Sequence, residues 1–303
     1  MNETIYALVE SFKTITKWEV SKNAAFIGFS LMAFFVVLGY FIWGNLVSLT
    51  SYLLEMIPFT FIKSNGAWML SSLVFIQLIF ITFSFVIIIF STKIVQDSKH
   101  KDYPKFILTI ALSVVFFWII VWYFNHEAIY NALSKLLLWL PFETIEKTLS
   151  YIFALYLLYS LYVVSLLIFV SLDSKKIIKL GIGEEIKTFF GKSIFIYTVK
   201  DSIIFIILSI VLFPFLFIPV LNFFIQLAVW TWFGKDTYTL DAGSIFYNKS
   251  DIQEIKAKHK KAIWFISLVA ACFNFIPILN IYSPYFGEFA MYYLFEAYEE
   301  NIG

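Results

Sequence analysis

Arginine is absent, and all 22 basic residues of the 303-residue chain are lysine. Bidentate guanidinium recognition of sulfate, phosphate or carboxylate is thereby excluded. Cysteine is almost absent as well. Cys272 alone permits no intrachain disulfide and, set in an apolar run, reads as an inert core thiol. Charged residues make up only 14% of the chain, for a formal net charge of +1. His100, His126 and His259 have no partner at metal-ligand spacing, so no metal or other cofactor is expected. No nucleophile elbow or other recognisable catalytic arrangement occurs, which argues against an enzyme. Gly181-Ile182-Gly183 lacks the lysine and downstream spacing of a phosphate-binding loop and reads as a helix stop. The N-terminus shows no short apolar core ending at a small-residue cleavage site, so no cleaved signal peptide is expected.

What is present is apolar. Hydrophobic residues reach 61% and the mean hydropathy is +0.84, with apolar runs throughout, as in an integral membrane protein. The expected fold is all-α: one polytopic membrane domain over residues 1–303, in contact with lipid and with no nucleic-acid partner. An N-terminal interfacial helix falls within 1–22, with Ile5, Leu8, Phe12 and Ile15 at helical spacing opposite Glu10, Lys13 and Lys17. Four spanning helices follow as two pairs, 24–95 and 106–172, near Ala24–Val47, Ala67–Val95, Phe106–Phe124 and Ser150–Ser171. The pairs look like copies of one unit. Leu53-Leu54-Glu55-Met56-Ile57-Pro58-Phe59 aligns with Leu136-Leu137-Leu138-Trp139-Leu140-Pro141-Phe142, although convergent amphipathic patterning also explains the match.

The final third carries a phrase that occurs twice. Phe217-Ile218-Pro219-Val220-Leu221-Asn222 returns as Phe275-Ile276-Pro277-Ile278-Leu279-Asn280. Each copy sits inside an apolar stretch, 201–233 and 262–296, that is awkwardly long for one crossing and too short for two. Two legs of roughly 14 residues reach only about 21 Å of a hydrocarbon core about 30 Å thick. Both stretches therefore read as re-entrant helical hairpins, with Pro and Asn at the bend. Lysine placement agrees. Of the 22 lysines, Lys63, Lys135 and Lys147 fall in the odd connectors, and re-entry leaves the other 19 on one side. That side, with both termini, is cytoplasmic by the positive-inside rule.

The bends supply the candidate site. A broken helix exposes N–H groups that favour an anion, and Asn222 and Asn280, beside Pro219 and Pro277, either add amide donors or cap the freed backbone. Glu288 is the other candidate. It is either a buried carboxyl that binds substrate when neutral or a boundary residue that reaches headgroup water or a lysine. Lys200-Asp201 and Lys235-Asp236 bracket the first hairpin as boundary markers or as an anion-attracting vestibule.

The doubled Ile-Pro-x-Leu-Asn, with Trp232-Phe233-Gly234, Pro284 and Gly287, resembles the CysZ family of sulfate permeases, related to the etoposide-induced proteins of the eukaryotic endoplasmic reticulum. The resemblance implies a multi-pass protein of the bacterial inner membrane, with two spanning-helix pairs and two partly penetrating hairpins. It further implies a homo-oligomer that takes up sulfate for cysteine synthesis. One departure stands out. The family's Gly-Leu-Arg motif before the first spanning helix is replaced here by Val20-Ser21-Lys22-Asn23-Ala24. The implied function is a permease or channel for a small inorganic anion, sulfate by resemblance. The alternative is a non-transporting scaffold, assembly factor or lipid-interacting protein.

Overall fold

The computed structural model describes residues 2–55, 123–132, 142–183, 192–212, 221–276 and 278–300, with Phe215 and a few single positions between 82 and 135. The second expected span, most of the third, Lys63 and both bend prolines, Pro219 and Pro277, lie outside the described residues. Apart from short turns, what is described is helical. In chain order the helices are α1 (Asn2–Ile15), α2 (Trp18–Glu55), α3 (Phe142–Leu172), α4 (Ser174–Ile182) and α5 (Lys192–Val211). They continue with α6 (Leu221–Phe246), α7 (Lys249–Lys258), α8 (Lys260–Phe273), a 3-10 turn (Leu279–Tyr282) and α9 (Ser283–Glu300). Residues 123–132 are also helical.

Two of these helices are long and apolar enough to cross a bilayer, Trp18–Glu55 and Leu149–Leu172. Phe26, Phe29, Phe34, Tyr40 and Phe41 all lie exposed along α2. A contiguous apolar face of this kind is stable only in apolar surroundings, as in a membrane protein.

The chain forms two compact units. The first holds residues 1–40, 158–211 and 226–303; the second holds 41–157 and 212–225. In the second, Thr50 donates to the Ser150 carbonyl at 2.9 Å, Ser51 donates to the Ser150 hydroxyl at 2.8 Å, and Trp43 meets Tyr151. Small hydroxyl residues thus let α2 and α3 approach closely without leaving polar groups bare. In the first unit α2 and α3 run antiparallel. Tyr162 donates to the Gly28 carbonyl, and Gly39 lies under Leu158.

The first unit is built around α9. Tyr285, Phe286, Phe289, Ala290, Met291, Leu294 and Phe295 are all buried, so this helix is covered on every side. Ser283 donates to the Ala270 carbonyl at 2.7 Å and anchors its start, and Pro284 occupies the first turn, where a missing N–H costs nothing. Gly287 admits the Tyr238 ring of α6, which would lie 2.4 Å from any Cβ at that position. Gly181 of α4 faces Phe289 as closely. The helix stop expected in the Gly-Ile-Gly run is present: α4 ends at Ile182, and Gly183 adopts φ 90° with its N–H bonded to the Lys179 carbonyl.

The N-terminal helix differs in how it is held. Its most buried residues are Thr4, Ala7, Ser11, Thr14 and Ile15, whereas Ile5, Leu8 and Phe12 are half-buried. Small residues let α1 lie close against α9. Ser11 donates to the Phe286 carbonyl at 2.8 Å, and Thr14 pairs with the Tyr293 hydroxyl at 2.7 Å. The large apolar stripe flanks this contact rather than forming it. Another difference concerns the polar run Gly234–Lys261, which ends in Lys256, Lys258, Lys260 and Lys261 and whose composition predicts a cytoplasmic loop: α6 instead continues unbroken to Phe246. Thr237, Thr239 and Ser244 return their hydroxyls to carbonyls of their own helix, so a polar sequence can be buried as helix.

Gly287→Ala forces the Tyr238 ring out of its seat, and an overpacked core of this kind costs about 1–3 kcal/mol. At Gly44 of α2, by contrast, an added Cβ would meet nothing within 4 Å. Gly44→Ala is therefore expected to be neutral or to stabilise by about 0.5–1 kcal/mol through helix propensity. Thermal unfolding of the two variants in detergent separates these outcomes.

Candidate functional site

The first bend is described from Leu221 onward. Asn222 is buried, and its side-chain oxygen accepts the Phe223 N–H at 2.6 Å. The amide therefore serves backbone at the start of α6.

The second bend is seen almost completely. After α8 ends, Asn274, Phe275 and Ile276 donate their N–H groups three residues back, to Ala271, Cys272 and Phe273. The Asn280 N–H reaches the Ile276 carbonyl at 3.1 Å. Tight turns thus take up the freed backbone. Ile278 has φ 73° and ψ −44°, a strained γ-turn geometry for a β-branched side chain, and it is 60% exposed. Strain of this kind costs on the order of 1–3 kcal/mol and gathers at ligand clamps and switch regions.

Asn280 is buried and does not cap that backbone directly. Its Nδ2 donates to the Tyr159 hydroxyl at 3.1 Å, and Tyr159 in turn donates to the Asn274 carbonyl. The relay pins the bend to α3. The unpartnered buried atoms here are Oδ1 of Asn274 and Oδ1 of Asn280, both acceptors. As arranged, the bend offers two unpaired lone-pair acceptors, and one of the two Asn280 amide N–H groups is committed to Tyr159.

Glu288 is 1% exposed, which removes headgroup water as its partner. It faces Asp241 of α6, also 1% exposed, and among the described residues no hydrogen bond of ordinary geometry reaches either carboxyl, the Ser171 hydroxyl being the donor set toward Asp241. Ser171 of α3 lies beside Asp241, with its hydroxyl 3.1 Å from that of Thr198. Burial pushes the Asp241 carboxyl above the ordinary carboxylate range. Asp241 is the residue that sequence reading missed. Its signal was a lone acid three residues past Tyr238, one helical turn along the same face.

The two vestibule lysines fare differently. Lys200 is exposed on α5. Lys235 pairs with Asp236 at 3.0 Å and stands 5.1 Å from the Trp264 ring centre. Lys256 closes on the same Asp236 at 2.6 Å. Burial would raise Asp236, but hydrogen bonds and charge from the two lysines outweigh it and hold the carboxyl below its ordinary value. Lys235 is thus part of an ion-pair cluster joining α6 to α7 and α8. Among the described residues no cluster of three or more His, Cys, Asp or Glu side chains suits a metal ion.

These features sit in a chain whose residues 104–284, more than half its length, match the family described as sulfate transporter CysZ/etoposide-induced protein 2.4. The chain belongs to this family. The matched region of the CysZ-type chain includes both bends, Asp241 and the lysine-rich α7, and ends four residues before Glu288. No curated protein and no solved structure matches the chain.

The Asn280–Tyr159–Asn274 relay is expected to act as one unit. Asn280→Ala removes one hydrogen bond together with one unpaired acceptor, so its cost is about 1 kcal/mol. Tyr159→Phe strips a buried carbonyl of its donor and is expected to cost more, about 1–3 kcal/mol. In a double-mutant cycle read by chemical unfolding, the double variant should lose less than the sum of the single losses.

Proposed function

We propose that this CysZ-family protein is a membrane permease or channel for a small inorganic anion, with sulfate as the substrate. Membership of a sulfate-transporter family carries the reading. The strained bend at Ile278, directly after Pro277, supports it as a place where a helix is broken for a purpose. In this reading the bends at Pro219–Asn222 and Pro277–Asn280 line the path, and sulfate competes with Tyr159 for the Asn280 amide. Exposed Lys200, with no arginine in the chain, supplies positive charge at the entrance, whereas Lys235 mainly holds α6 to its neighbours. Glu288 belongs to the path only in its neutral form, because a carboxylate repels an oxyanion.

The proposed topology has four spanning helices, two re-entrant hairpins and both termini in the cytoplasm of a bacterial inner-membrane homo-oligomer. At 26 residues α6 exceeds the roughly 14-residue leg that the apolar pattern predicts, and in this topology only its part before the Lys235–Asp236 pair enters the bilayer. Energetics limit the mechanism. A doubly charged anion entering against 100 mV is opposed by about 4.6 kcal/mol, twice the single-charge value. Uptake thus needs a steep gradient, rapid consumption or a co-moving proton.

Two experiments test this reading. Purified protein in liposomes is expected to pass radiolabelled sulfate, with inhibition by other tetrahedral oxyanions. An absence of protein-dependent flux would favour the scaffold alternative. For topology, a cysteine is placed at Gln253 on exposed α7 or at Lys63, each in a Cys272→Ala background. The impermeant thiol reagent outside cells should label the Lys63 site and spare Gln253. Equal labelling of the two sites would overturn the re-entrant arrangement.

A further inference from the structure

Asp241 and Glu288 form the most unusual polar contact among the described residues. The two carboxyls project from different helices, α6 and α9, into a place almost wholly closed to solvent. Around them stand Tyr238 of α6, itself buried and directed toward Ser283, and Ser171 of α3. Lysine is missing from the groups that act on either carboxyl. Among the described residues no cation therefore compensates them. The metal alternative fails because, among the described residues, no third carboxylate, histidine or thiol joins the pair.

Ionised carboxylates only accept hydrogen bonds, so two in contact repel and leave four oxygens bare. Burying one uncompensated charge is costly, and burying two side by side costs more. A single proton between them changes the balance. One carboxyl then donates to the other, and the pair carries one negative charge rather than two. The surrounding packing is built to hold this contact closed. Gly287 precedes Glu288 and lets the Tyr238 ring lie close on α9, while Gly243, two residues past Asp241, lies against Ile252 and Phe295.

We infer that Asp241 and Glu288 constitute a proton-binding site whose shared proton fastens α6 to α9. When the proton leaves, the two charges push these helices apart. The link from this site to transport rests on the anion-permease reading above. There, a proton that closes the pair enters with sulfate and offsets part of its charge. Proton binding itself is independent of that reading.

The primary test uses full-length purified protein in detergent without sulfate. Thermal unfolding is followed from about pH 5 to about pH 9 for the wild type, Glu288→Gln and Asp241→Asn. A proton held more tightly in the folded state gives stability at low pH. That stability is lost as pH rises from the ordinary carboxyl value through the folded one. The wild-type melting temperature should fall across this range. An amide N–H replaces the shared proton in each variant, so the fall should shrink by the contribution of about one proton. Equal pH slopes in all three proteins would overturn the proposal. Should the variants fail to fold, the wild type still decides the matter. Titration against the denatured chain should show about one extra proton bound per native molecule near neutral pH, and no excess would overturn the proposal.

Flux is a separate arm. An inward proton gradient should speed wild-type sulfate uptake several-fold and leave Glu288→Gln without that response. Equal stimulation of both would overturn the coupling. Absence of any wild-type flux would overturn the permease reading and the coupling with it, with the proton site judged by the melting and titration data alone.

Discussion

Everything in the first unit depends on covering α9. A helix with aromatic and aliphatic side chains on all faces has no side to give to water and must be enclosed by its neighbours. The enclosure is achieved with small residues at the points of closest approach. Gly287 receives Tyr238, Gly181 receives Phe289, and Ala7 and Ser11 bring α1 down onto the helix. At either glycine an added Cβ would collide with the facing ring, so the packing there selects residue size more than residue hydrophobicity. Hydroxyls finish the work, because Ser11, Thr14 and Ser283 each use their bond to tie one segment to another.

Such an enclosure makes the two carboxyls at its centre consequential. In water, Asp241 and Glu288 would be two ordinary anions. Inside the unit they are, among the described residues, two buried carboxyls in contact with each other, where the packing conflicts with the chemistry of the side chains. Apolar replacements would be simpler for stability, so the conflict itself points to use. The second bend tells a related story on a smaller scale. Its backbone is satisfied by tight turns, yet the Asn274 and Asn280 oxygens are left without donors and Ile278 is held in strain. Both places hold buried polar atoms without hydrogen-bond partners.

The helical class, the long apolar spans and the twin Pro-Asn phrase are legible in the sequence, because each is encoded locally by periodicity, length or a backbone breaker. The family is legible from the same phrase. Tertiary partners are not. Nothing in the spacing of Ile5, Leu8 and Phe12 reveals that α1 is seated by its Thr4-Ala7-Ser11-Thr14 edge, since that choice is made by the shape of α9. The polar run after Phe233 reads as a loop because composition does not show whether a threonine faces water or bonds back to its own helix. Glu288 is visible as an anomaly in an apolar stretch, but its partner lies 47 residues earlier in the chain and only folding brings them together.

The central claim is that a proton is shared between Asp241 and Glu288 in the folded protein. Infrared spectroscopy of the purified protein at neutral pH tests it most directly, because a protonated carboxyl has a C=O stretch separate from that of carboxylates. The account predicts a protonated-carboxyl band in the wild type that is lost in the Asp241→Asn, Glu288→Gln double variant. A wild-type spectrum without that band, or a band of equal strength in the double variant, would contradict it.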